Sequence, residues 1–79
     1  MVTMKFEKVR PGEYRARLEG LEGGSIWVTR QNRAQWVWFL GGTTPAGVVW
    51  ETDNNGPFPT KKLAIADAIA SYEDLLAAL

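Results

Sequence analysis

The chain has 79 residues, 46% of them hydrophobic, and its nine Lys and Arg are balanced by nine Asp and Glu, with neither Cys nor His. That length allows one hydrophobic core and little more, while the apolar content argues against disorder. Without Cys there can be no disulfide, thiolate metal site or redox motif, and without His the commonest general base and usual metal ligand are gone.

In chain order, the first clear element is 13–19, where Tyr14, Ala16 and Leu18 alternate with Arg15, Arg17 and Glu19. Period-two alternation marks a strand with one buried face. Pro11-Gly12 punctuates its start and the Gly-rich stretch 20–24 its end; residues 5–9 are a weaker strand candidate. A second strand is expected over 25–30, rich in β-branched and aromatic residues. The polar stretch Gln31-Asn32-Arg33-Ala34 then turns the chain into a third strand over 35–40. This strand is apolar on both faces from Trp36 to Leu40, as an interior strand should be. A fourth is expected over 48–52, stopped by Asp53-Asn54-Asn55-Gly56-Pro57.

The last third contains neither Gly nor Pro after Pro59 and is dominated by Ala and Leu. This predicts a helix over 60–78, N-capped by Thr60. Ile65, Ile69, Tyr72, Leu76 and Leu79 form its apolar stripe, with Ala66, Ala68 and Ala70 flanking it for close approach to a sheet. Lys61, Lys62, Asp67, Glu73 and Asp74 face water. A sheet with one apolar face and a helix with one apolar stripe must cover each other. The expected fold is therefore a single α+β domain over residues 1–79: a three- to four-stranded antiparallel sheet with one C-terminal helix packed on one face.

The longest apolar run, Trp36 to Leu40, falls far short of the roughly 20 residues of a membrane span. The mixed-charge N-terminus has no apolar signal region, so a cytoplasmic chain with no membrane role is expected. Ser25 and Ser71 have no activating partner in the pattern, and a chain this small offers paired carboxylates no sheltered cleft. No catalytic residue, metal ligand or cofactor is assigned, and the chain is not expected to be an enzyme. Glu51-Thr52-Asp53-Asn54-Asn55-Gly56 has the look of half a calcium loop, but the position of the closing Glu is Lys62. A strand end followed by an Asn-Gly turn explains it better.

If Tyr14, Ala16, Leu18, Ile26, Val28, Trp36, Trp38, Val48 and Trp50 pack under the helix, the opposite face follows by alternation. It carries Arg15, Arg17, Trp27, Thr29, Val37, Phe39, Val49 and Glu51. Two arginines among large aromatics and valines suit a protein interface or contacts to nucleic acid. Arg15, Arg17, Trp27, Thr29, Val37 and Phe39 are the candidate partner-binding residues. Arg30, Arg33, Lys61 and Lys62 are candidate anion or phosphate contacts, the two lysines because a first helical turn disfavours cations.

The stretch Gly56-Pro57-Phe58-Pro59-Thr60-Lys61-Lys62-Leu63-Ala64 resembles the G-x-F-x-T-x-x-x-A segment of AP2-type and integrase arm-binding domains, matching at Gly56, Phe58, Thr60 and Ala64. The resemblance implies a sheet that reads DNA above a supporting helix, with Arg15, Arg17, Trp27 and Arg30 as contacts. Leu63 stands where that family usually has an acid. In overall composition, Cys-free and rich in Ala, Gly, Arg and Trp, the chain also resembles small bacteriophage proteins that bind a host factor. The leading expectation is a non-catalytic interaction module that binds a host protein, or a second copy of itself as a homo-oligomer, through its open sheet face. The alternative is DNA binding through the same face. Net neutrality favours the first and the Gly56–Ala64 match favours the second.

Overall fold

The computed structural model describes residues 4–18 and 22–78. The strands are β1 (Glu7–Arg10), β2 (Glu13–Arg17), β3 (Glu22–Asn32), β4 (Gln35–Thr43), β5 (Val49–Glu51) and β6 (Asn55–Phe58), followed by helix α1 (Lys61–Ala77). They form one antiparallel sheet in the order β1-β2-β3-β4-β5, with β6 also paired to β4. The α+β class and the single C-terminal helix are as expected, but the sheet has six strands rather than three or four. The expected ends at residue 19 of the first strand and at Leu79 of the apolar stripe lie outside the described residues.

The two added strands differ in kind. β1 comes from the weak candidate at 5–9 and pairs with β2 across the Pro11-Gly12 turn, where Gly12 has φ 80. β6 arises within the stretch taken for a stop. Its sequence, Asn-Gly-Pro-Phe, has no intrinsic strand preference, and side-chain tethers hold it. The Asn55 amide donates to the Trp38 carbonyl at 3.3 Å and to the Asp53 carbonyl at 2.9 Å. Pro57 is tolerated because β6 is an edge strand. β5 and β6 share one edge of β4: Gly42 pairs with Trp50, and Trp36 with Phe58. Between them, Thr52 accepts from the Leu40 amide at 3.0 Å and donates its own amide to the Leu40 carbonyl at 2.9 Å.

The central hairpin sets the register. Ile26 lies opposite Leu40, Val28 opposite Trp38, Trp27 opposite Phe39 and Thr29 opposite Val37. The two strands run on to Asn32 and Gln35, which narrows the expected four-residue loop to Arg33-Ala34, with Ala34 at φ 54. Trp36, Trp38 and Leu40 therefore face the helix, and Val37 and Phe39 face away.

Under the helix, Leu18, Ile26, Val28, Trp38, Leu40, Ala64, Ala68 and Tyr72 form the buried core, with Tyr14, Trp36, Trp50 and Phe58 packed at its margin. Ala16 is buried on the same face, as expected. Val48 does not join them: it is 54% exposed, because β5 begins only at Val49. Val48 instead closes the β4–β5 turn, its amide donating to the buried Thr44 hydroxyl at 3.1 Å.

Thr60 caps α1 as expected, its hydroxyl accepting from the Leu63 amide at 3.2 Å. The buried face, however, is Ala64, Ala68 and Tyr72, with Ile65, Leu75 and Leu76 beside it and Ile69 only half-buried. The stripe is thus rotated towards the alanines, whose small side chains let the helix settle onto the bulky Trp38. Asp67, expected to lie mostly towards water, accepts a 2.7 Å hydrogen bond from the Trp38 indole N–H. That bond satisfies the one polar group Trp38 would otherwise bury.

Candidate interaction surfaces

On the face away from the helix, cross-strand pairing assembles three rows. The central one runs Glu7, Arg15, Trp27, Phe39 across β1 to β4. Beside it lie Arg10, Glu13, Thr29 and Val37 on one side, and Arg17, Ser25, Gly41 and Glu51 on the other. Trp27 and Phe39 stack with centroids 6.2 Å apart and planes inclined by 12°. The Arg15 guanidinium sits 5.3 Å from the Trp27 centroid. Because β2 and β4 flank β3, Trp27 stands between Arg15 and Phe39.

Five of the six expected partner-binding residues are available on this surface: Arg17 is exposed, and Arg15, Trp27, Thr29 and Phe39 are half-buried. Val37 is the exception. It is only 5% exposed, because a short side chain on a strand paired along both edges sinks below its larger neighbours. Val49, 61% exposed at the β5 end, extends the apolar part of the surface. The charges balance: Arg10, Arg15 and Arg17 stand among Glu7, Glu13 and Glu51. Arg10 and Glu13 pair directly at 2.7 Å. With the Arg10 side chain largely in solvent, that pair contributes at most about 1 kcal/mol.

The candidate anion contacts lie elsewhere. Arg30 pairs with Trp36 and so belongs to the helix side of the sheet, not with Arg15 and Arg17. This corrects the grouping that the DNA-binding resemblance implies. Lys61 places its ammonium 4.1 Å from the Tyr14 centroid, and Tyr14 meets Trp36 with centroids 6.2 Å apart. Arg33 is exposed at the β3–β4 turn and Lys62 on the first helical turn. Lys8, Tyr14 and Trp36 also belong to this end, since Lys8 pairs with Tyr14. None of these three was assigned to a site from the sequence. Tyr14 and Trp36 read as core by alternation, and nothing in a linear pattern says that they lie at the core's rim.

A groove of about 340 Å³ runs between the helix and the β5–β6 connection, lined by Trp38, Thr52, Asn55, Ser71, Asp74 and Leu75. Its Asn55 and Thr52 are committed to tethering β6 and β4, which makes it a structural seam. Among the described residues, no three of the Asp and Glu side chains cluster closely enough to hold a metal ion. No described helix is long and apolar enough to cross a membrane.

The stretch that resembles AP2-type and integrase arm-binding domains has a structural role at each matching position. Gly56 has φ 127 and lies so close to β4 that a Cβ there would be 2.8 Å from the Trp36 carbonyl oxygen. Phe58 packs at the core margin, Thr60 caps the helix and Ala64 is fully buried. No family model matches the chain, and no curated protein or solved structure matches it either.

Proposed function

We propose that this chain is a small non-catalytic interaction module that docks on a protein partner through its open sheet face. The observation that carries this reading is the Arg15–Trp27–Phe39 row, standing on a face with no helix over it and with exposed Val49 alongside. Aromatic and arginine side chains at the centre of a patch, with charges at its rim, are the composition of a protein interface. The equal numbers of arginines and glutamates on the face disfavour a polyanion. A host factor fits the bacteriophage-like composition, and a second copy of the chain fits the balanced charge.

The self-association arm is tested by sedimentation equilibrium across a concentration series at low and high salt. The expected result is a reversible dimer, insensitive to salt, that Trp27→Ala dissociates and Arg17→Ala barely affects. Each aromatic anchor should contribute about 2 kcal/mol or more. A strict monomer at high concentration would restrict the reading to a foreign protein. Tight, sequence-selective duplex DNA shifts abolished by Arg15→Ala or Arg17→Ala would replace it with the DNA-binding alternative.

A further inference from the structure

The end of the molecule where the helix begins gathers five cations. Lys8 lies across from Tyr14 and Arg30 across from Trp36. The Arg30 amide donates to the Gly12 carbonyl at 2.8 Å, which fixes Arg30 at the lip of the β1–β2 turn. Lys61 caps the Tyr14 ring, and Arg33 and Lys62 stand exposed on the adjoining turn and helical turn. Among the described residues none of these five cations has a carboxylate partner; the ion pair found is Arg10–Glu13, and Glu13 points to the other face. The helix compounds the asymmetry, with no acid in its first turn and no base in its last. Its dipole therefore adds to the positive field here rather than offsetting it.

From this cluster we infer a second binding surface, for single-stranded nucleic acid, formed by Lys8, Arg30, Arg33, Lys61 and Lys62 around the half-buried rings of Tyr14 and Trp36. Unpaired cations that follow a backbone, interleaved with aromatic faces on which bases stack, are the means by which such strands are held without sequence preference. An acidic peptide would use the cations but leave the rings idle. A duplex hides its bases in the stack and would do the same. The site is independent of the protein-docking reading, because it lies on the helix side of the sheet.

The test is fluorescence anisotropy of a labelled oligothymidine, run beside a polyglutamate peptide of equal charge and anionic phospholipid vesicles. The oligothymidine should bind at low salt and weaken as salt rises, by about 0.7 in log–log slope for each phosphate engaged. The exposed-site pair Arg33→Glu with Lys62→Glu should lower affinity about tenfold or more by removing phosphate contacts. Tyr14→Leu should weaken oligothymidine and leave polyglutamate unchanged. Binding of polyglutamate or vesicles as tight as that of oligothymidine would overturn the inference, as would no binding at low salt. So would an Arg33→Glu, Lys62→Glu protein that is folded and binds like the parent.

Discussion

The open face and the helix-start pole each set arginine or lysine beside stacked or tilted aromatic rings, yet they are electrostatic opposites. On the open face every arginine has a glutamate within the same patch, and Arg10–Glu13 closes as an ion pair. At the pole, Lys8, Arg30, Arg33, Lys61 and Lys62 have no such partners among the described residues. A net charge of zero thus conceals one neutral surface and one basic one. The difference shows that composition bounds the average field of a protein and says nothing of its separation. What separates the charges is the pleat, which sends Glu7, Glu13 and Glu51 to one side and Lys8 and Arg30 to the other.

The comparison breaks most visibly in stability, because one face is core and the other is not. Trp38→Ala removes a buried ring and the donor to Asp67, and should cost about 3–5 kcal/mol in urea unfolding. Trp27→Ala removes a half-buried ring and should cost about 1–2 kcal/mol. Equal losses would mean that the open face is buried in the working state of the molecule. Gly56→Ala should fall between the two, at about 2–3 kcal/mol, since it combines a positive φ with a Cβ pressed on the Trp36 carbonyl. A tolerated Gly56→Ala would show that β6 does not define the Trp36 edge of the pole. Thr60→Ala should cost about 1 kcal/mol by removing the cap, read in the same unfolding series.

The smallest effect separates stability from binding. Lys62 is exposed and sits at a helix start where an acid is favoured. Lys62→Glu should therefore raise stability by about 0.5–1 kcal/mol while weakening oligothymidine binding. A destabilised variant would mean that Lys62 makes a contact the fold depends on.

Much of this was legible before any coordinates. The alternation in 13–19 and 25–30, the two-sided apolar run at Trp36–Leu40 and the Thr60 cap are local signals, and each led to the right element and face. β6 was not legible, because what holds it is the Asn55 amide reaching the Trp38 carbonyl across the sheet. Propensity contains no such term. The helix face was misjudged because Ala64 and Ala68 count little in an apolar periodicity, although small size is what brings a helix close to a tryptophan. Among the site residues, the open-face set followed from alternation alone except Val37, whose depth depends on its neighbours. Arg30 was set beside Arg15 and Arg17 only by the DNA-binding resemblance, and its pairing with Trp36 places it on the helix side of the sheet.

The four tryptophans allow the two-surface account to be tested in a single experiment. Each gives one indole N–H resonance, with Trp27 on the open face, Trp36 at the basic pole, and Trp38 and Trp50 between. In a dilution series the Trp27 resonance should move and the Trp36 resonance should not. On adding oligothymidine the reverse should hold, with Trp38 held by Asp67 throughout. Movement of the same indole in both titrations would contradict the account.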